Sequence, residues 1–539
     1  MLDRFVKLFG TGGAAWALAC GLATARAEPS AEAAPEVRGV WLTTTANDHI
    51  ATPGDTAETM RRLREIGLNT VYVEAWKNGY TQYPSRVLQR VIGVDRRPAL
   101  VKQDPGDPDK PVEARDLLGE TVIEAHRNGL MIIGWFEYGF MAAHQDTQNH
   151  LREMYPHWLS RDKDGNEVAP NGFVWMNPLH PETRRLLLDL ILEAVDRYDL
   201  DGVQLDDRIV WPYYTMGYDD FTVAWYRNEH GGEAPPQDPK DPEWMRWRAD
   251  KVNEYARQFV KELRAARPGL IVSLSPAPYP WCWENYLLEW PKWAAWKPGN
   301  DEGMWWDEFI PQCYRYDFQA FRATWDQQVN NLRDADAGDR VKDMLAGVLT
   351  TGSRPDPVPW PDLRQAVEHV RATGGGGHVW WFSRGVLDEY PEEIAAFYGV
   401  EENGQAPHPA RRQGWRPEPV VAKPGESDSE DLLVDVPDGD YLVIGRRNGV
   451  WERVFGFGFR NANPLDSVSG ITSAYAADFI NGEGPVRLRV RNRFESEEVE
   501  GVRTRGTQGF VVNVPAYDVL EVLVDRRAEM RRYAPAERP

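Results

Sequence analysis

Two aspartates, Asp206 and Asp207, stand side by side at the end of the apolar stretch LDGVQLDD (200–207). Neighbouring carboxylates repel each other, and burial disfavours both charged forms, so such a pair holds its two titrations apart. One member stays ionised while the other keeps a proton to near neutrality. Cleaving a glycosidic bond needs that combination: one proton donor, and one group that stabilises the developing cation. Side chains alternate along a strand. Gln204 and Asp206 therefore share a face, Val203 and Leu205 take the other, and Asp207 falls where strand gives way to loop. The competing reading of the pair is a helix N-cap or a salt bridge to Arg208. Glu137, in the apolar run LMIIGWFEYGF (130–140), is the best further carboxylate; its structural alternative is an ion pair with Arg208 or Lys77. If Asp206 and Glu137 flank the bond, their separation decides retention or inversion. In a substrate-assisted route on a 2-acetamido sugar, Asp206 would orient the acetamido group and Asp207 would donate the proton. The sequence leaves both routes open.

The other strand ends supply amides and rings. Trp76, Asn78 and Tyr80 follow the second strand, and Trp135 and Tyr138 the third. Gln204, Arg208 and Trp211 surround the Asp pair, Trp281 lies beyond the fifth strand, Gln312 and Tyr314 end the sixth, and Trp381 ends the eighth. Sugars suit such a rim, because their hydroxyls need directional partners while their C–H faces stack on aromatic rings. These residues are the expected substrate-binding set. For any one Trp, core packing is an equally good account; for the whole set at strand ends it is not. No metal-spaced His/Cys set, nucleophile elbow or phosphate loop occurs, so neither metal nor cofactor is expected. His126, His144, His157 and His180 are scattered and read as structural or surface residues.

Presenting these residues together requires a particular frame. Eight apolar strands recur between residues 38 and 385, separated by amphipathic segments such as TAETMRRLREIG, HPETRRLLLDLILEAVDRY and DPEWMRWRADKVNEYARQFVKELRAARPG. Strand–helix alternation implies a parallel sheet, and eight units close into a (β/α)8 TIM barrel whose active site lies at the C-terminal strand ends. An open doubly wound sheet is disfavoured, since no Gly-rich phosphate fingerprint follows the first strand. The fold class is therefore α/β, a barrel over 38–400. A Pro-, Gly- and charge-rich linker follows at 401–430, then a small sandwich-like all-β domain at 431–527 and a disordered tail at 528–539.

The N-terminus reads as a signal peptide (1–27) followed by a linker (28–37). Arg4 and Lys7 precede a Gly/Ala-rich apolar run, and Ala25–Arg26–Ala27 offers a small-x-small cleavage site. Export to the periplasm or the exterior follows. Lipoprotein anchoring through Cys20 is the weaker reading, because the apolar run continues past it. Cys282 and Cys313 are then the only remaining cysteines, too few for a disulfide scaffold. The net charge of −21 excludes nucleic acid, which needs a basic face. A polysaccharide is the expected partner, with association to the cell envelope.

Taken in order, RGVWLTTTAN, NTVYVEAWKNGYTQYPSRV, GLMIIGWFEYGFMA, VWMNPLHPETRRLLLDLILEAV, YDLDGVQLDDRIVWP, DPEWMRWRADKV, LSPAP and PQCYR resemble the family-ten glycosyl hydrolase-like proteins over roughly residues 36 to 400. The resemblance implies an envelope-associated bacterial glycosidase acting on an amino-sugar polysaccharide, with cell-wall peptidoglycan glycan as the substrate class. It places the family's Asp–Asp motif on Asp206 and Asp207, and its aromatic–acid–Tyr motif on Trp135 to Phe140. Arg208 departs from the His or Tyr common after the second Asp, and Glu74 stands where the family usually lacks an acid. The alternative function is a non-catalytic glycan-binding envelope protein on a degenerate barrel.

Overall fold

A computed structural model describes residues 34–104, 107–198, 200–267, 269–296, 305–400 and 404–410, together with isolated strand segments beyond 419. Eight parallel strands form one sheet: β1 (Val37–Leu42), β2 (Thr70–Glu74), β3 (Met131–Phe136), β4 (Gly202–Asp206), β5 (Ile271–Ser275), β6 (Glu308–Phe309), β7 (Leu345–Leu349) and β8 (Gly377–Trp381). Their order is β6-β5-β4-β3-β2-β1-β8-β7. Two isolated parallel bridges, Phe309 to Met344 and Gln312 to Gly347, join the sheet edges, so the ring is all but closed as a (β/α)8 barrel.

Helices α1 (Pro53–Glu65), α2 (Leu117–Arg127), α3 (Pro181–Arg197), α4 (Pro242–Ala266), α5 (Phe318–Asp334), α6 (Trp360–Ala372) and α7 (Pro391–Tyr398) alternate with the strands. Their starts follow sequence chemistry: α1 opens on a Thr52–Asp55 capping box, and α4 on the Asp241 cap with Pro242 in its first turn. Between β5 and β6 two short helices, Trp281–Tyr286 and Trp290–Ala294, replace the long one. The sixth strand is only two residues long and stops just before Pro311, which has no N–H to give the ladder.

The period-2 pattern sorts two cores. Val40, Leu42, Val71, Val73, Ile132, Phe136, Val203, Leu205, Val272 and Leu274 pack outward in the larger cluster that takes in the helices. Trp41, Tyr72, Met131, Ile133, Trp135, Ile271, Leu345 and Val379 fill the barrel interior. Gly39 makes room there; a Cβ on it would come within 2.9 Å of the Tyr72 ring.

The interior also holds a buried acid with no cation beside it among the described residues. Glu308 accepts a 2.8 Å hydrogen bond from the Tyr72 hydroxyl, and burial pushes its carboxyl up to about 7. The folded state thus binds this proton more tightly than the unfolded chain, so stability is lost as pH rises from about 4.5 to about 7 and is level above. Glu308→Gln should remove this share, on the order of 3 kcal/mol. Urea melts at pH 5 and pH 8 check it: the variant should lose less stability than the parent between the two.

Beyond the barrel, antiparallel strands occur in two sheets. Gly439–Arg447, Val450–Arg460 and Val519–Val524 form the body of one; Tyr475–Ile480, Arg487–Asn492 and Thr507–Val511 form the other. The side-chain packing that would make them a sandwich lies outside the described residues. So do the signal peptide, Cys20, most of the 401–430 linker and the 528–539 tail.

Candidate active site

The acids converge on one guanidinium at the C-terminal end of the strands. Asp206 is the last residue of β4 and points into the barrel, sharing that face with Gln204 as the alternation requires. Its Oδ2 accepts from Arg208 Nη1 (2.7 Å) and Trp135 Nε1 (3.2 Å). Its Oδ1 accepts from the Asp207 backbone N–H (2.8 Å) and Gln312 Nε2 (2.5 Å). Asp207 sits 3.6 Å from Arg208 Nε, and Glu137 Oε1 lies 3.6 Å from the same Nη1 that holds Asp206. The Glu137 carbonyl accepts from Arg208 Nη1 as well (3.0 Å).

Burial sets the electrostatics. It lifts the Asp206 carboxyl to about 7 against the lowering pull of Arg208, and raises Asp207 and Glu137 for the same reason. The titration belongs to the Asp pair rather than to one residue. The donors decide where the charge rests: Asp206 faces four of them, an environment for a carboxylate, whereas Asp207 has the Arg208 guanidinium at longer range and shares a side-chain hydrogen bond with Asp206.

A second cation extends the chain of charge. Lys77 Nζ lies 2.9 Å from Glu74 Oε2 and 3.1 Å from Glu137 Oε2. Glu74, fully buried, also accepts from the hydroxyls of Thr43 (2.9 Å) and Thr44 (2.6 Å) and from Gln82 Nε2 (2.8 Å), and these partners hold its carboxyl below the usual range despite burial. Glu74 thus fixes Lys77, and Lys77 fixes Glu137.

The expected binding residues separate into those at the acids and those elsewhere. Trp135, Arg208 and Gln312 bond to Asp206 directly. Tyr138 lies with its ring 5.9 Å from the Arg208 guanidinium. Tyr314 and Trp381 are partly exposed and pack against each other with centroids 5.6 Å apart; Trp381 meets Trp135 edge-on at 5.9 Å. Trp281 is 45% exposed and edge-on to Tyr286 at 5.1 Å. Tyr286 accepts from Asn171 Nδ2 (3.2 Å) and feels the Asp207 charge.

Gln204 lies one layer deeper, wholly buried, accepting from Trp41 Nε1 (2.7 Å) and donating to Ser273 Oγ (2.9 Å). Trp76 and Trp211 are also wholly buried, their indole N–H groups bound to the Gly139 and Met216 carbonyls; both serve packing in this structure. Asn78 occupies a turn with φ of 51°, and its carbonyl accepts from Asn149. Tyr80 pairs with His150 (2.7 Å). Neither touches the acids. Cys282 and Cys313 are free, buried thiols. Tyr286 and Asn171 were not expected; the only sign of Tyr286 is the aromatic cluster WCWENY after the fifth strand. Glu74 and Lys77 are visible in the sequence as strand-end residues but not as partners.

Comparison with known proteins adds four observations. Residues 36–360 match a family described as Glycosyl hydrolase-like 10. The chain is 25% identical to Glycosyl hydrolase YngK of Bacillus subtilis (strain 168) over 264 residues, 46% of each chain. It is 22% identical to Glycosyl hydrolase DigH of Escherichia coli (strain K12) over 263 residues, 45% of this chain and 55% of that one. The chain thus spans about half the length of these curated relatives. Among solved structures, the PgaB (BpsB) glycoside hydrolase domain from Bordetella bronchiseptica aligns with a TM-score of 0.47 at 13% identity, covering 68% of this chain and 99% of that domain.

Proposed function

The chain belongs to the Glycosyl hydrolase-like 10 family, and from that premise we propose that it is a glycoside hydrolase cleaving an amino-sugar polysaccharide, with bacterial wall glycan as the substrate class. The observation that carries this reading is the meeting of Asp206, Asp207 and Glu137 on Arg208 within one ring-walled mouth. A degenerate binding barrel has no need of two buried acids and a third half-buried one around one cation, which costs stability unless each is paired. The charge on Asp206 orients the substrate or stabilises the developing cation, and Asp207 donates the proton to the leaving oxygen. Glu137, steadied by Lys77, is the second carboxylate if the bond is flanked directly.

The wall-glycan assignment rests on the family and on the mouth itself, where partly exposed rings border amide and carboxylate groups suited to acetamido sugars. Export, and association with the cell envelope, belong to the same proposal. The test is mass spectrometry of digests of peptide-free wall glycan and of chitin-type oligomers by the intact protein, Asp206→Asn and Asp207→Asn. Shortened chains from the intact protein alone support the reading. Unchanged substrate throughout removes it in favour of binding without hydrolysis.

Trp281 is exposed and adjoins this mouth through Tyr286, and stacks an outlying sugar. Trp281→Ala should raise KM about fivefold with kcat nearly unchanged, the loss of one ring–sugar contact; steady-state kinetics on oligomers of increasing length checks this, with the effect confined to the longer ones.

A further inference from the structure

The chain's excursion between β3 and α3 brings together two histidines that lie 23 positions apart in sequence. His157 sits in the short 3-10 turn Pro156–Trp158, and His180 is the N-cap of α3, with Glu182 in that helix's first turn. The two imidazole centroids are 5.9 Å apart, and one ligand atom each from His157, His180 and Glu182 falls within 4.8 Å of the others. The sequence spacing, which gave these histidines no ligand role, could not show this, because the pairing depends on how the excursion folds back.

The geometry points to a zinc site made by His157, His180 and Glu182. Two imidazoles and a carboxylate are a donor set for Zn²⁺, with a fourth position left to water; Ca²⁺ and Mg²⁺ demand more oxygen ligands. The set is held ready. Trp158 Nε1 donates to Glu182 Oε2 (2.9 Å), which fixes the carboxylate in the way outer partners orient metal ligands. Trp158 and Phe221 pack on the His180 ring with centroids 6.3 and 4.6 Å away. Among the described residues His157 makes no hydrogen bond from either ring nitrogen, and His180 is engaged only at Nδ1, by a 3.4 Å contact from the Glu182 N–H and a 3.9 Å approach of Glu182 Oε2. The Glu182 charge offsets the positive end of the helix. In a (β/α)8 barrel the start of each helix lies at the same end as the strand C-termini, so a metal here ties down the excursion that begins with Glu137 and Tyr138.

The experiment is titration of the full, chelator-treated chain with zinc chloride, followed by calorimetry and by metal analysis of the dialysed protein. One zinc per chain is expected, with calcium and magnesium chloride giving no heat. His157→Ala and Glu182→Gln should each weaken binding at least about tenfold. Both residues are exposed, so the metal-free melting temperature should move little, and least in His157→Ala, whose side chain makes no hydrogen bond among the described residues. Absence of saturable zinc binding overturns the site. So does stoichiometry and affinity unchanged in the His157→Ala/Glu182→Gln double variant, which would put the ion elsewhere. The readout is independent of catalysis, and Asp206→Asn should bind zinc as the parent does.

Discussion

On the proposed wall-glycan substrate, Asp207→Asn should lower kcat by about 10³-fold while leaving KM within about a factor of three, the signature of a lost general acid. The loss should shrink on an aryl glycoside, whose leaving group departs without a proton. Asp206→Asn should be equally damaging on both substrates, because it removes charge from a position where four donors hold it beside the reacting centre. The pH profile carries the same information. Burial raises the Asp207 carboxyl, so the donor's proton is lost at a higher pH than an ordinary aspartic acid's, and the parent's kcat should fall on the alkaline side. Asp207→Asn has no such proton to lose, and its residual rate should be flat there. Retention of the alkaline limb in that variant would move the donor to another group, and near-parental rates in both variants would sink the acid–base assignment.

Arg208→Gln should be the most disruptive single change at the mouth. The guanidinium is the one charge shared by Asp206, Asp207 and Glu137. Removing one partner of a buried ionic cluster costs about 3–5 kcal/mol, because the others are left uncompensated. Without Arg208 the three carboxyls rise further, so the folded state holds protons the unfolded chain has released. Stability should therefore be poorest near pH 8 and recover toward pH 5 as the acids neutralise. Melting temperature against pH reads this directly, and activity should fall at least about 10²-fold at every pH. Arg208→Lys should restore much of the stability and little of the rate, since an ammonium supplies charge without the planar fork that reaches Asp206 through Nη1 and Asp207 through Nε. Equal melting curves for parent and Arg208→Gln at pH 8 would show that the cluster is not held by this cation.

Much of this arrangement was legible beforehand. Alternation along β4 put Gln204 and Asp206 on one face, and they share it. Alternation gives the face and not the depth, however. Gln204 lies a layer below, where the Trp41 indole takes its amide oxygen, a pairing across 163 residues that no local pattern carries. The tryptophans divide for a similar reason. Trp135 and Trp381 reach the interior because they lie on inward positions of β3 and β8. Trp76 and Trp211 lie past strand ends, where direction is set by loops, and their N–H groups found backbone carbonyls close by. Lys77 illustrates a further limit. Its proximity to Glu74 follows from a spacing of three residues, but its reach to Glu137 depends on the β2–β3 pairing of Glu74 with Trp135.

Trp41, Trp135, Tyr72 and their neighbours leave no passage through the middle of the ring: Trp41 is wholly buried and Trp135 is 1% exposed. A polymer cannot be threaded through such a stoppered vessel. Whatever reaches Asp206 must be draped over the lip, bent toward it from above, and released by the doorway through which it came.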